Sequence, residues 1–328
     1  MFVRTLLTMN RVIIAHPAEK QMKKFRNSVR IEGYFYQHKL ELRKSGAQSK
    51  APGTEYIAGS LDIATDEACT NVVTVRFSYV TAVTKSGKAN DTFNVLKNII
   101  NGVYKSVMDH GKENASKFRI DSVVGLNEFY DRNDQFVSVK MNDGGFVHAT
   151  NELNPDERQR SKFDCDMIIT GFRRVEATDS KPEKGIVKGA IFNFMGALLP
   201  VEFSVTHAGA MDYFEGLEAT SKNPVVTQVR GNMISKTIVT KDIKESAFGE
   251  AEVIERRNTE KDYVITWAAA ETQEWDSEET ITAKELTEAM AARETYLATI
   301  KQRNDEYKAS KGNGAASAGA PASGGFNF

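Results

Sequence analysis

The stretch that decides the fold is Val29-Arg30-Ile31-Glu32-Gly33-Tyr34-Phe35-Tyr36, with the shorter run Lys39-Leu40-Glu41-Leu42-Arg43 just behind it. Apolar and polar residues alternate along both runs, which is typical of a β-strand that buries one face. The glycine inside the first run predicts a bend or a bulge. We therefore expect one long, bent first strand.

Four further strands and a helix are predicted after this first strand. Runs rich in Val, Ile, Tyr and Phe predict a second strand over residues 56–63 and a third over 72–80. A helix is expected next, because Asp91 can cap it and apolar residues then recur at helical spacing. Residues 118–124 and 136–141 predict the fourth and fifth strands.

The same order of elements recurs later in the chain. Residues 165–173 correspond to the first strand, with Gly171 in the place of Gly33, and Gly189 stands for Gly59 in the second strand, 185–192. The third strand, the helix and the fourth strand correspond to residues 200–205, 208–219 and 225–234. Residues 263–267 could add or close a strand. A duplicated module is therefore predicted.

Three strands, a helix and two more strands, with a glycine-bent first strand, form the layout of the OB-fold, a small barrel that binds oligonucleotides. The strands that contain Gly33 and Gly171, and the strand at 59–65, resemble those of OB-fold single-stranded DNA-binding proteins, including the replication proteins of bacteriophages. The resemblance covers residues 29–241. It implies a mainly β fold: two tandem OB-fold-like barrels, a C-terminal helix and a disordered tail.

Composition shifts suggest where the parts of the chain begin and end. The sequence predicts a basic N-terminal extension over 1–28 and two barrels over 29–150 and 161–245. These are followed by an acidic strand and helix extension over 246–308 and a flexible Gly/Ala/Ser tail, 309–328, that ends in aromatics. An amphipathic helix is expected over 282–307, with Leu286, Met290, Leu297 and Ile300 near one face.

Composition and charge exclude several classes of protein. The 328 residues carry 43 Lys+Arg against 44 Asp+Glu and are 41% hydrophobic, which excludes wholesale disorder. Two distant cysteines exclude a disulfide framework, and no apolar run is long enough to span a membrane, so a cytoplasmic protein is expected. Residues 1–50 hold 11 basic and 3 acidic residues, a balance of +8, whereas residues 246–328 hold 9 and 15, a balance of -6.

A surface that binds single strands without base specificity needs cations along the backbone and flat rings on which bases stack. Alternation directs Val29, Ile31 and Phe35 inward and the polar face of the same strand outward. Candidates in the first barrel are Arg30, Tyr34, Tyr36, His38, Lys50, Tyr56 and Arg76. Candidates in the second barrel are Phe172, Arg173, Arg174, Lys188 and Phe192, with Phe194 as a further possibility. A packing role for each aromatic is the alternative.

The sequence offers few patterns of enzymatic residues. A glycine-rich phosphate loop, a paired-histidine zinc helix and a nucleophile elbow are all missing, so no cofactor or metal is predicted and the protein is expected not to be an enzyme. Asp164 and Asp166 would share one face of a strand and could in principle hold Mg²⁺, which leaves a nuclease as a remote alternative.

The end of the chain suggests a partner. Residues 310–325 are almost wholly Gly, Ala and Ser, and they end in Phe326-Asn327-Phe328. Bacterial single-stranded DNA-binding proteins carry a similar tail with a terminal Phe that docks on replication and repair proteins, but their tail is acidic at its end and this one is not. Phe326 and Phe328 are therefore predicted to bind a protein partner, or to have no such role.

The functional hypothesis is a single-stranded DNA-binding protein of phage or bacterial type, which coats unwound strands in replication or recombination. The pattern does not separate DNA from RNA, and it leaves the oligomeric state open. The alternative is a structural or scaffolding protein whose barrels bind protein partners, which the near-neutral overall charge and the long C-terminal helix favour.

Overall fold

The computed structural model describes residues 25–47, 49–178, 181–244 and 252–312, with side chains for 25–47, 49–178, 181–235 and 259–309. Most of the predicted basic extension lies outside the described residues. The tail after residue 312, with Phe326 and Phe328, lies outside them too.

A first set of strands closes on itself. The elements are β1 (Asn27–His38), β2 (Glu41–Lys44), β3 (Glu55–Ala64), β4 (Val72–Thr81), α1 (Asp91–Ile100), α2 (Val107–His110), β5 (Lys117–Tyr130) and β6 (Phe136–Thr150). Strand β1 pairs antiparallel with β3 and β5, β3 pairs with β4, and β5 pairs with β6. A parallel pairing of β4 with β6 completes the ring. We call these five strands the first circuit; β2 forms an added hairpin on β3.

A second set of strands repeats this pattern. The elements are β7 (Ser161–Val175), β8 (Lys184–Phe192), β9 (Leu198–Val205), α3 (Ala208–Gly216), β10 (Val225–Lys244) and β11 (Glu252–Ala268), followed by α4 (Ala283–Gly312). Strand β7 pairs antiparallel with β8 and β10, β8 with β9, and β10 with β11. Strands β9 and β11 pair in parallel. These five strands are the second circuit.

The predicted fold class is confirmed: the protein is mainly β, with a large sheet and a C-terminal helix. Both circuits show the predicted order of three strands, a helix and two strands, which is the OB order. Three details differ. The predicted first strand is divided into β1 and β2, the helix after Asp91 is divided into α1 and α2, and β11 completes the second circuit from within a segment that the sequence suggested was an extension. The predicted domain boundaries stay a prediction.

The glycine matches that suggested the repeat are wrong in register. Each first strand contains one extra, bulged residue, Tyr36 in β1 and Thr170 in β7. Gly33 comes before its bulge and Gly171 comes directly after, so the two are not equivalent. Gly33 is required for a different reason: a Cβ there would lie 2.1 Å from the carbonyl oxygen of Ala64. The order of elements repeats, but the glycines do not mark it.

The two circuits are joined by their first strands. When the bulged residues are matched, 36 with 170, the same shift of 134 matches Val29 with Phe163. These two residues lie opposite each other in an antiparallel ladder from Asn27–Cys165 to Ile31–Ser161. Equivalent residues that face each other in an antiparallel ladder define a two-fold axis, so the circuits are related by a pseudo-two-fold through Val29 and Phe163.

One apolar core extends through both circuits. Buried side chains of the first circuit, such as Ile31 and Phe77, belong to the same cluster as Phe163 and Phe203 of the second. Burying such side chains is the main source of stability for a fold of this kind. The two circuits therefore share their stabilising interior.

Helix α4 spans both circuits on the outside. Its first turns pack Leu286 and Ala289 on the second circuit. Further along, the Arg293 guanidinium forms a two-point ion pair with Glu128 on β5, one arm being 2.7 Å from Nη1 to Oε2. Met290, which the sequence places on the same face as Leu286 and Leu297, is exposed, whereas those two residues are half-buried.

Candidate nucleic-acid interface

Two exposed tyrosine rings lie against each other on the first circuit. Tyr56 is near the start of β3 and Tyr79 near the end of β4, and their ring centroids are 4.5 Å apart at 36°. Tyr79 is 52% exposed and Tyr56 is half-buried. Their neighbours Ile57 and Val80 pack into the core, so alternation directs both rings outward.

Two loops with lysines flank this tyrosine pair. Residues 45–54 join β2 to β3 and contain Lys50, and residues 82–90 follow β4 and contain Lys85 and Lys88. The second loop is held in place by a Val83–Ala89 bridge and by a 2.9 Å hydrogen bond that the Asn90 amide donates to the Thr81 carbonyl. These three lysines are exposed and form no ion pair with any residue that the structure describes. The strand ends that carry the rings therefore continue into two loops whose lysines are available to a ligand.

The strands below the tyrosine pair carry a further cation. Arg76 on β4 lies opposite Ser60 on β3 and Asp143 on β6, on the outer face of the circuit. Burial raises the pKa of Asp143, and the nearby charge of Arg76 opposes that rise. The outer face thus continues from the tyrosine pair to a half-buried guanidinium. We call Tyr56, Tyr79, Arg76, Lys50, Lys85 and Lys88 the first-circuit surface.

Several predicted residues of the first circuit lie elsewhere. The expectation that Tyr34 is exposed is wrong: it is 9% exposed, and its hydroxyl donates a 2.8 Å hydrogen bond to Glu67. Burial raises its pKa, and the bond to Glu67 adds to that rise. Tyr36 is the half-buried bulge residue. Arg30 is exposed on the ladder that joins the circuits and pairs with Glu32 at 3.0 Å.

His38 is not available as a cation near neutral pH. Its ring lies 6.0 Å from Phe35, and its Nδ1 accepts a 3.1 Å hydrogen bond from the Leu40 backbone N–H. Burial lowers its pKa from the ordinary value of 6.5. The side chain therefore shapes the turn between β1 and β2 in the neutral form.

The predicted residues of the second circuit are mostly packed or paired. Phe192 is 2% exposed beneath Phe25, at 4.9 Å between centroids, so the expectation of an outward ring is wrong there. Phe172 is half-buried against the core. Three basic residues are exposed beside carboxylates: Lys188 lies opposite Glu202, Arg173 is 3.8 Å from Glu202, and Arg174 binds Glu183, Asp212 and Glu215.

Tyr79 and Trp267 are exposed aromatic residues that are not among the candidates from the sequence. Tyr79 lies in the predicted third strand, but its position beside Tyr56 depends on the irregular pairing of β3 with β4 at Ile57 and Gly59. Trp267 on β11 is 44% exposed, with the Arg230 guanidinium 4.4 Å from its ring centroid. Trp267 also borders a shallow cavity of about 240 Å³ beside α3. The alternation around Tyr79 is the one signal that could have identified it.

Asp164 and Asp166, the two aspartates that the sequence offers as possible magnesium ligands, accept hydrogen bonds from basic side chains and amide groups. Asp164 accepts hydrogen bonds from Gln228 at 2.6 Å and Arg230 at 3.1 Å, and Asp166 accepts one from the Arg26 backbone N–H at 2.7 Å. Among the residues that the structure describes, no group of three His, Cys, Asp or Glu side chains is arranged to hold a metal ion. No helix in that part of the chain is both long and apolar enough to cross a bilayer.

Two solved structures of the single-stranded DNA-binding protein from Thermus aquaticus are similar to this protein in chain path. The wild-type structure has 9% sequence identity and a TM-score of 0.44, with 77% of this chain and 96% of that chain covered. A deletion mutant has 10% identity and the same TM-score of 0.44, with 77% and 98% covered.

The strand pairings and the first-circuit surface define a mainly β protein of two OB-type circuits with an aromatic and cationic outer face. A family model described as YorF matches residues 26–303. The chain therefore belongs to the YorF family. A search of the curated proteins found no match.

Proposed function

We propose that this protein binds single-stranded DNA without base specificity, and that it does so through the first-circuit surface. The observation that carries the proposal is the Tyr56–Tyr79 pair, 4.5 Å apart and next to two loops that carry exposed lysines. It lies on the second and third strands of an OB-type circuit, which are the strands that bind oligonucleotides in this fold. Coating of unwound strands in replication or recombination is the role we propose for this activity.

Both kinds of contact that a single strand requires are present there. An exposed ring can stack on any base, since every base has a flat face, and each stacked base contributes about 1–3 kcal/mol. Lys50, Lys85 and Lys88 can neutralise phosphates on either side of the rings, which makes binding sensitive to salt. A duplex keeps its bases stacked inside, so it can use only the lysines.

The proposal is tested with the double variant Tyr56→Ala/Tyr79→Ala. Loss of two stacking rings is expected to weaken binding of labelled oligo-dT by about 2–6 kcal/mol, or roughly 30-fold or more, measured by fluorescence anisotropy. A duplex of equal length should bind weakly to the parent protein and equally weakly to the variant.

Two controls separate ring stacking from other effects. Tyr56→Phe/Tyr79→Phe keeps both rings and should retain most of the affinity, and Tyr296→Ala removes an exposed tyrosine from α4 and should change nothing. Circular dichroism checks that each variant folds. Equal binding of the parent protein to oligo-dT and duplex, or full affinity in the double alanine variant, would reject the proposal.

A further inference from the structure

Among the residues that the structure describes, the second circuit lacks the part of the first on which the tyrosine pair lies. Matching the bulges makes Gly185 equivalent to Gly59, and the β8–β9 ladder ends there, at Gly185–Val205. The β3–β4 ladder continues past Gly59 to Tyr56–Thr81. Between β7 and β8 the described residues form a Thr178–Lys181 bridge, where the first circuit has the β2 hairpin.

The position of Arg76 is also changed in the second circuit. Arg76 lies opposite Ser60, and the equivalent opposed pair is Ser204 with Ile186. Ser204 is buried, and its hydroxyl donates a 2.6 Å hydrogen bond to Asp262, which also lies 3.3 Å from the Lys184 ammonium. A phosphate at this place would therefore meet an apolar side chain and a carboxylate paired with Lys184, instead of the Arg76 guanidinium.

The chain itself covers one part of the outer face of the second circuit, at the end where β8 finishes and β9 begins. Ile168, Ala190, Phe192 and Leu198 form a cluster on β7, β8 and β9 that is separate from the main core. Trp275 and Ile281, from the segment that leads into α4, pack in or on this cluster together with Leu286 and Ala289 from the first turns of α4. The same segment carries five exposed acidic residues: Glu271, Glu274, Asp276, Glu278 and Glu279. Such a run of carboxylates repels a phosphate backbone.

We infer that binding of a single strand is confined to the first circuit, and that the second circuit uses its own C-terminal segment to cover the end of its outer face where β8 finishes. This inference rests on the proposed function. Its consequence is quantitative: one chain covers the roughly 4–16 nucleotides of one OB fold, not twice that number.

The site size tests the inference directly. The full chain is titrated with oligo-dT of increasing length at low salt and at concentrations far above Kd, and the number of nucleotides per chain at saturation is read from the break point. A value of about 4–16 is expected. A value clearly above about 16 would overturn the inference while leaving the proposed function in place.

Two matched double variants test which circuit contacts the single strand. Lys85→Ala/Lys88→Ala removes two cations from the first-circuit surface and should lower affinity and reduce the salt slope by about 1.4, since each phosphate contact contributes about 0.7. Arg173→Ala/Lys188→Ala removes two exposed cations from the second circuit and should leave both quantities unchanged. An equal loss in the two variants would contradict the inference, whereas absence of any oligo-dT binding by the parent protein would refute the proposed function itself.

Discussion

Tyr34 shows how one residue can match a binding pattern and serve a structural role. Its hydroxyl, the buried Arg160 guanidinium and the Lys112 ammonium all donate to the Glu67 carboxylate, at 2.8, 2.7 and 3.1 Å. The bond from Arg160 is the main cause that lowers the pKa of Glu67 from 4.5 to about 2, and the bond from Tyr34 adds to it. The cluster ties the loop after β3 to the residues just before β7.

This cluster should make stability depend on pH in the acid range. The pKa of Glu67 is lower in the folded protein than in the unfolded chain. The ionised Glu67 therefore stabilises the fold fully above pH 4.5, and this stabilisation is lost as the pH falls towards 2. Glu67→Gln should therefore lower the urea midpoint at pH 6, and it should reduce the further loss between pH 4.5 and 3. Glu113→Gln, at an exposed neighbouring carboxylate, is the control. An unchanged pH profile in Glu67→Gln would contradict this role.

At the scale of elements, the β5–β6 hairpin is the part that α4 holds. Glu128 is almost fully buried and pairs with Arg293 and with the Ser138 hydroxyl at 3.0 Å. At the tip of the hairpin, Asp134 forms a 2.6 Å ion pair with Lys308 and accepts a 2.8 Å hydrogen bond from the Asn304 side-chain amide. The helix is thus anchored at both ends of its contact with the hairpin.

Removal of one partner of the buried pair should release α4. Arg293→Met leaves the Glu128 carboxylate buried and unpaired, which typically costs about 3–5 kcal/mol. Since detachment of the helix would hydrate that carboxylate, we expect faster amide hydrogen exchange in residues 283–309 and in the hairpin, while the circuits remain folded.

Two companion variants make this prediction specific. Arg303→Met removes an exposed arginine from the same helix and should not alter exchange. Glu128→Leu combined with Arg293→Met leaves no unpaired charge and should restore much of the protection. If Arg293→Met exchanges like the parent protein, the ion pair does not hold the helix.

At the scale of the whole molecule, the β1–β7 ladder makes two circuits into one folding unit. Phe163 lies on the pseudo-two-fold and packs against Phe203 at 4.8 Å and Tyr263 at 5.7 Å between centroids. Lys140 of the first circuit is half-buried against the second: its ammonium donates a hydrogen bond to the Glu202 carbonyl and lies 5.2 Å from the Tyr263 ring centroid. Burial lowers the pKa of this lysine.

The shared core predicts that damage to one circuit unfolds both. Phe77→Ala empties a fully buried position in the first circuit and should cost about 3–5 kcal/mol. Both tryptophans, Trp267 and Trp275, lie on or against the second circuit. Their fluorescence should therefore shift to a lower urea midpoint together with far-UV circular dichroism.

Phe203→Ala provides the reciprocal control in the second circuit. It should lower both midpoints in the same way, because Phe203 belongs to the same buried cluster as Phe77. A fluorescence midpoint that stays at the parent value in Phe77→Ala would show that the circuits unfold separately.

Short-range patterns were sufficient to predict the elements and their order. Val29, Ile31 and Phe35 are buried as alternation requires, and the predicted helix and strands after Asp91 are present with changed ends. These features depend on neighbours a few residues apart, whose geometry the local sequence determines. The repeat was visible for the same reason, since it is a repeat of element types.

Long-range contacts determined the candidate site. Tyr34 and Phe192 carry the same outward signal as Tyr56, yet Glu67 and Phe25, distant in sequence, pack on them and bury them. Arg174 lies near the end of a strand and Lys85 lies in a loop, and the local sequence of both is basic and polar. Of the two, only Arg174 forms ion pairs with three carboxylates. Which rings and charges stay exposed depends on the side chains that pack beside each strand. In a barrel those side chains come from segments tens of residues away along the chain. Only the tertiary structure therefore determines the binding surface.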